Sequence, residues 1–219
     1  MKSTDEFQYL TVLISIILGL GLTQLLTGIG RLVQARARVR LYWPALLWIA
    51  LVLLMHVQVW WALFDLRAHR GWTFLNFLVV LLTPTCLYLM AALALPDVAE
   101  ATAGAGVSGA DAAGALPTPS ERTTSGADVE RVLDLRSHYY AQTRWFFGAA
   151  AAMIVSSLAR PLVMEGRLPL DLDRGLQIVF LALAVGAAST RRARYHELVA
   201  GAVGALFVAY VVLLFTHLR

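Results

Sequence analysis

The stretch FQYLTVLISIILGLGLTQLLTGIG, residues 7–30, decides the fold. It runs for 24 residues without a charge. A helix rises about 1.5 Å per residue, so roughly 20 residues cross the hydrocarbon core of a bilayer. Inside lipid a helix satisfies its own backbone, which leaves an uncharged run of this length one natural reading, a membrane span. Two further blocks match it: residues 41–64 (24 residues) and residues 71–96 (26 residues). The second half is less regular. Residues 145–164 form a fourth block that carries Arg160 and Pro161. Residues 175–190 form a fifth of only 16, flanked by Arg174 and Arg191, whose side chains can snorkel to the headgroups. Residues 198–218 form the sixth.

The expected fold is therefore all-α, a polytopic transmembrane helix bundle of about six spans. A five-span variant, with the fourth or fifth block not crossing, stays open. Composition agrees: 59% of the 219 residues are hydrophobic and the mean hydropathy is +0.68, above the roughly 45–50% of ordinary soluble domains. A cleaved signal peptide is not expected, because Asp5 and Glu6 spoil the basic leader and the apolar run is too long.

Between the third and fourth blocks the composition changes. Residues 97–126 are Ala, Gly, Ser, Thr and Pro with scattered acids and no aromatic residue. Such a segment cannot bury enough surface to offset its ordering entropy. Residues 1–96 thus carry spans one to three. Residues 97–137 are a disordered linker and the start of a surface helix, and residues 138–219 carry spans four to six. Ser125 and Asp128 resemble a capping box. Val129, Val132, Leu133, Tyr139 and Tyr140 recur at near-helical spacing, which predicts an amphipathic surface helix over 128–143 that runs on into the fourth span.

Trp43, Trp60, Trp61, Trp72 and Trp145 fall near span ends, as an interfacial aromatic belt would. Trp48 lies deeper and is expected between helices. The cations divide equally between the two sides if only short loops and tails count. Arg136 and Arg144 then tip the balance to an outside N-terminus and a cytoplasmic linker. Seventeen arginines against one lysine, with abundant Ala and Gly, suggest a bacterial source of high GC content. The net charge of +4 reflects topology and anionic lipid, and no basic module interleaved with aromatics points to nucleic acid.

Helix association in lipid depends on close backbone contact and interhelical hydrogen bonds. Ser15, Gly19, Thr23 and Thr27, at steps of four, form a packing stripe on span one. Gly148, Ala152 and Ser156 do the same on span four, Ala182 and Gly186 on span five, and Gly201, Ala205 and Ala209 on span six. Spans two and three, bulkier, are expected to face lipid. Pro84 should kink span three, with Thr83 and Thr85 covering the freed carbonyl.

The run around Ser15-Ile16-Ile17-Leu18-Gly19-Leu20-Gly21, together with His56-Val57-Gln58-Val59-Trp60-Trp61 and Arg191-Arg192-Ala193-Arg194-Tyr195-His196-Glu197, resembles a group of bacterial multi-pass inner-membrane proteins. The resemblance covers most of the chain outside the linker. It implies a membrane protein and brings no activity with it.

The chemistry within the spans is sparse. No carboxylate lies at the middle of a span, which counts against a proton-coupled pump or a paired-aspartate protease. With Cys86 alone there is no disulfide and no thiolate metal site, and no cofactor, metal or catalytic residue is expected. His56, Gln58, Asn76, Thr83 and Gln177 are the candidates for a polar seam, either a ligand path or interhelical glue. Arg31, Arg36, Arg38 and Arg40 are candidates for lipid headgroups. The leading expectation is a non-enzymatic assembly, sensor or accessory subunit whose partners are membrane lipids, a second copy or another membrane protein. The alternative is a small transporter or channel with a polar seam near His56, since two inverted triplets of spans are a common transporter plan.

Overall fold

A computed structural model describes residues 2–68, 71–96, 133–167 and 171–217. Among them are six α-helices: α1 (Lys2–Gln34), α2 (Trp43–Ala62), α3 (Phe74–Ala94), α4 (Leu135–Glu165), α5 (Leu172–Ser189) and α6 (Ala193–His217). The fold is all-α. Helices α1 to α4 are each long and apolar enough to cross a membrane, which is consistent with membrane insertion. The linker and the 125–128 capping pair lie outside the described residues.

Local chemistry sets the helix ends. Pro44 opens α2, where its missing N–H costs nothing. Thr73 caps α3 by accepting from Asn76 N at 3.2 Å. Asp134 caps α4 through Arg136 N at 3.1 Å, and Asp171 caps α5 through Arg174 N at 3.0 Å. Gly166 ends α4 in the left-handed conformation (φ 66°). Helix α4 begins ten residues before the expected fourth span and continues through Arg160 and Pro161. The expected surface helix is thus, from Leu135 on, the first turns of the span itself. A two-residue parallel bridge, β1 (Val39–Arg40) with β2 (Leu133–Asp134), joins the approaches to α2 and α4.

Helix α3 lies at the centre, packed on α1, α2 and α4. Val80, Leu87, Met90 and Ala91 are buried along one side of it, while the bulky residues Leu75, Leu78, Leu82 and Leu89 stay exposed on the other, the face expected to meet lipid. Pro84 sits within a continuous helix, and the neighbouring carbonyls are occupied. Ser156 Oγ donates to Val79 O at 2.9 Å, and Thr85 Oγ1 to Leu81 O at 2.9 Å. Trp48 does pack between helices, edge-on to Phe146 and Phe147 at 5.5 and 5.2 Å.

The packing stripe of α1 requires a correction. Gly19, Thr23 and Thr27 are exposed and Ser15 only half-buried, and Thr23 turns its hydroxyl back to Gly19 O at 2.8 Å. The inward seam is instead Ile14, Leu18, Gly21, Leu25, Gly28 and Leu32, spaced four and three alternately as in a coiled-coil contact. Glycine is required at two steps of it. A β-carbon on Gly21 would collide with His56 Nε2, and one on Gly28 with the Leu95 side chain. Gly148, Ala152, Gly201, Ala205 and Ala209 also face outward, whereas Ser156 and Gly186 pack inside.

Alternation of the helices gives the bundle two unlike ends. One collects Arg31, Arg36, Arg38, Arg40, Arg136, Arg144, Arg191, Arg192 and Arg194, against Asp134 and Glu197 among the described residues. The other mixes signs: Arg67, Arg160, Arg167 and Arg174 with Glu165, Asp171 and Asp173.

Candidate functional site

Helix α5 docks on α4, while α6 docks mainly on α2. The contact of α6 with α2 is close enough that a β-carbon on Gly204 would lie 3.2 Å from Leu47. Hung on different partners, α5 and α6 diverge below their short connection. A cavity of about 470 Å³ opens between them, lined from all six helices. Phe180, Leu183 and Ala184 of α5 form one wall, and Val199, Val203 and Phe207 of α6 the other. Ile14, Trp48, Met90 and Phe147 line the deeper part.

Apart from Thr83 the lining is apolar except toward the end where α2 and α4 finish and α5 begins. There Gln58, Ser157, Arg160, Asp173 and Gln177 meet. Arg174 Nη1 donates to Ser157 O at 3.0 Å and to Gln177 Oε1 at 3.3 Å, and Gln177 Nε2 donates to Asp173 Oδ2 at 2.8 Å. The chain of bonds fixes the rim to α4. Arg174 Nε is buried and finds no acceptor among the described residues.

The structure thus gathers three of the five seam candidates at one cavity: Gln58 and Gln177 at the rim and Thr83 on the wall. Thr83 Oγ1 also lies 3.3 Å from Ser156 Oγ, joining α3 to α4. His56 and Asn76 do not line it. His56 is fully buried, with Nδ1 2.7 Å from Val52 O. A carbonyl only accepts, so the proton is on Nδ1, and Nε2 turns its lone pair toward Gly21. Asn76 is buried in the first turn of α3. Arg31, Arg36, Arg38 and Arg40 are all exposed at the cationic end, where headgroups would lie.

A second constellation escaped sequence reasoning. His196, which the sequence places at a span border, is fully buried. Its Nε2 donates to Thr190 O at 2.9 Å, leaving Nδ1 to accept from the Tyr139 hydroxyl at 3.0 Å. Tyr195 OH donates to Leu183 O at 3.1 Å, fitting into the space that Gly186 leaves open. Tyr42 and Tyr140 pair their hydroxyls at 3.1 Å, and the Arg136 guanidinium lies 5.7 Å from the Tyr42 ring centre. Just ahead of α2, burial and then the bond to Tyr140 hold the Tyr42 phenol well above the ordinary tyrosine range. The local signal was the pairing of His138-Tyr139-Tyr140 with Tyr195-His196, aromatic and imidazole groups at two approaches to the same bundle end. His196 has both ring nitrogens engaged, so this junction holds helices together and offers no free base. Among the described residues no three His, Cys, Asp or Glu side chains converge to hold a metal. Compared with protein-family models, curated proteins and solved structures, the chain matches none.

Proposed function

We propose that this protein is a non-enzymatic multi-pass membrane subunit that assembles through its outward faces, with a second copy or with another membrane protein. The observation that carries this is the outward-facing stripe Gly19, Thr23 and Thr27, seconded by Gly148 and Ala152 on α4 and Gly201 and Ala205 on α6. In lipid such residues stabilise helix contacts by letting backbones approach, and among the described residues nothing lies within 4 Å of where a β-carbon on Gly19, Gly148 or Gly201 would stand. Gly19→Leu and Thr23→Leu should each reduce the size of the complex extracted in mild detergent, while leaving the thermal stability of the chain nearly unchanged. A wild-type protein that is monomeric and partner-free in crosslinked membranes rules out assembly. Reproducible turnover by the purified chain overturns the non-enzymatic assignment.

The clustering of arginine at one end supports a bacterial inner-membrane location with that end cytoplasmic, the N-terminus outside and the linker inside. A Ser120→Cys variant should resist a membrane-impermeant maleimide in cells with a permeabilised outer membrane and an intact inner membrane. It should react once the inner membrane is broken, and labelling before that step inverts the topology. A second reading, a small transporter, is favoured by one observation only, the cavity between α5 and α6 that residues of all six helices line. Flux into proteoliposomes containing the chain alone would establish it.

A further inference from the structure

We infer that the cleft between α4 and α5 at the cationic end is a binding site for the phosphate of an anionic phospholipid. The inference rests on membrane insertion and not on the assembly proposed above.

Position comes first. The cleft is lined by Thr143 and Arg144 of α4 and by Ala188, Ser189, Thr190 and Arg191 at the end of α5. The apolar block of α4 begins at Trp145, and that of α5 ends at Thr190. Each arginine is therefore the first charge beyond its block, and the two stand at one level. From Arg144 to Glu165, where α4 ends, the rise is about 32 Å, close to the thickness of the hydrocarbon core. Trp145, 73% exposed beside Arg144, lies at the depth where indoles collect. The cleft thus opens among headgroups. One turn further into the membrane Val185 is exposed, and this apolar margin favours a lipid over a soluble phosphate.

Charge sets the ligand. Arg144 and Arg191 are exposed, and among the described residues neither pairs with a carboxylate. Snorkelling explains one arginine at a span end. It does not explain two that line the same cleft, where their like charges repel. Arg192 and Arg194 follow at the positive end of the α6 dipole, and the first turn of that helix has no acid. A phosphate between the guanidinium groups removes the repulsion and accepts charge-assisted hydrogen bonds. Thr190 adds a donor: its hydroxyl oxygen accepts from Arg192 N at 3.3 Å, and its proton finds no acceptor among the described residues. The hydroxyls of Thr143 and Ser189 already donate to Tyr139 O and Val185 O, each at 2.8 Å. No carboxylate lines the cleft to receive the ammonium of a zwitterionic head, so the head carries net negative charge. Of the other acids at this end, Asp134 caps α4 and Glu197 lies in the second turn of α6. Asp97, Glu100, Asp111, Glu121, Asp128 and Glu130 belong to the linker, with Arg122 and Arg131, outside the described residues.

The test uses the full chain in mild detergent, titrated with dioleoyl phosphatidylglycerol and read by native mass spectrometry. One lipid should bind saturably, about tenfold more tightly than dioleoyl phosphatidylcholine, the scale of one charge-assisted hydrogen bond. Arg144→Gln combined with Arg191→Gln should erase that preference. Arg36→Gln combined with Arg40→Gln removes the same charge from the same end and should change it by less than about twofold, as screened, exposed charges do. If the cleft double variant fails to fold, either single variant, which should lose part of the preference, decides. Equal affinity for the two lipids in the native chain overturns the site. Equal losses in the two double variants mean diffuse charge over the whole end, and overturn it as well. Displacement of the bound lipid by inorganic phosphate identifies a soluble phosphate and overturns the lipid. Binding that depends on Arg144 and Arg191 only after the six linker acids are changed to their amides makes the linker the native occupant, and that too overturns the proposal.

Discussion

The two ends of the bundle are built on opposite principles. At the cationic end, the approaches to α2, α4 and α6 converge on a closed junction. His196 bridges Tyr139 to the Thr190 carbonyl, Tyr195 reaches back to Leu183, and Tyr42 pairs with Tyr140. At the far end, among the described residues, the polar groups of α5 bond along their own helix and to α4, and α6 stands apart across the cavity. The same short connection explains both. Pinned between α5 and α6, it fixes one end. It also sends two helices toward different partners, so the space between them widens with distance from the pin. Rigidity and void are two results of one geometry.

The junction should therefore be the most sensitive part of the molecule. His196→Leu leaves the Tyr139 hydroxyl and the Thr190 carbonyl without their partner in a buried place. We expect a loss of about 2–3 kcal/mol, read by thermal or denaturant unfolding in detergent. If the loss stays below that of an ordinary surface substitution, the junction does not hold the fold. Gly186→Ala comes next, at about 1–2 kcal/mol, because the new methyl meets the Tyr195 hydroxyl. The collision is with the hydroxyl group, so adding Tyr195→Phe should recover part of the loss. A purely additive double variant would mean that the two residues do not touch.

Much of this architecture is written in the sequence, and what was not has physical reasons. The long apolar runs announce helices because lipid leaves the backbone no alternative. Which face of a helix turns inward is another matter. On α1 both faces repeat at helical spacing, one small and polar, the other Leu and Ile with Gly21 and Gly28 set into it. Spacing alone does not choose between them. The choice depends on the partners, His56 and Leu95, which fit only against glycine. The candidate site was legible in part for the same reason. Gln58, Thr83 and Gln177 were marked by polarity, but the cavity joining them arises from how α5 and α6 diverge. His56 drew notice by its chemistry and lies buried against Gly21, away from the cavity. Gly21→Ala should cost about 1–2 kcal/mol through His56, while Gly19→Ala, with open space around its β-carbon, should fall within about 0.5 kcal/mol of wild type in either direction. Equal effects at both positions would erase the distinction between the faces.

The smallest effect is expected where the two ends meet on a single helix. Ala184 and Ala187 lie one turn apart on α5, and both are buried. Ala184 borders the cavity and Ala187 does not. Overpacking a filled core displaces neighbours and usually costs about 1–3 kcal/mol. Ala187→Leu should pay that cost, since the space around it is already taken. Ala184→Leu has a chamber to grow into, and its added methylenes gain contacts instead of forcing neighbours aside. Its stability should stay within about 0.5 kcal/mol of wild type. The pair removes helix propensity from the comparison, because the same substitution is made on the same helix. What differs is only the presence of space. A penalty at residue 184 equal to that at 187 would mean that the wedge between α5 and α6 closes in the membrane, and the tight end would then extend the length of the bundle.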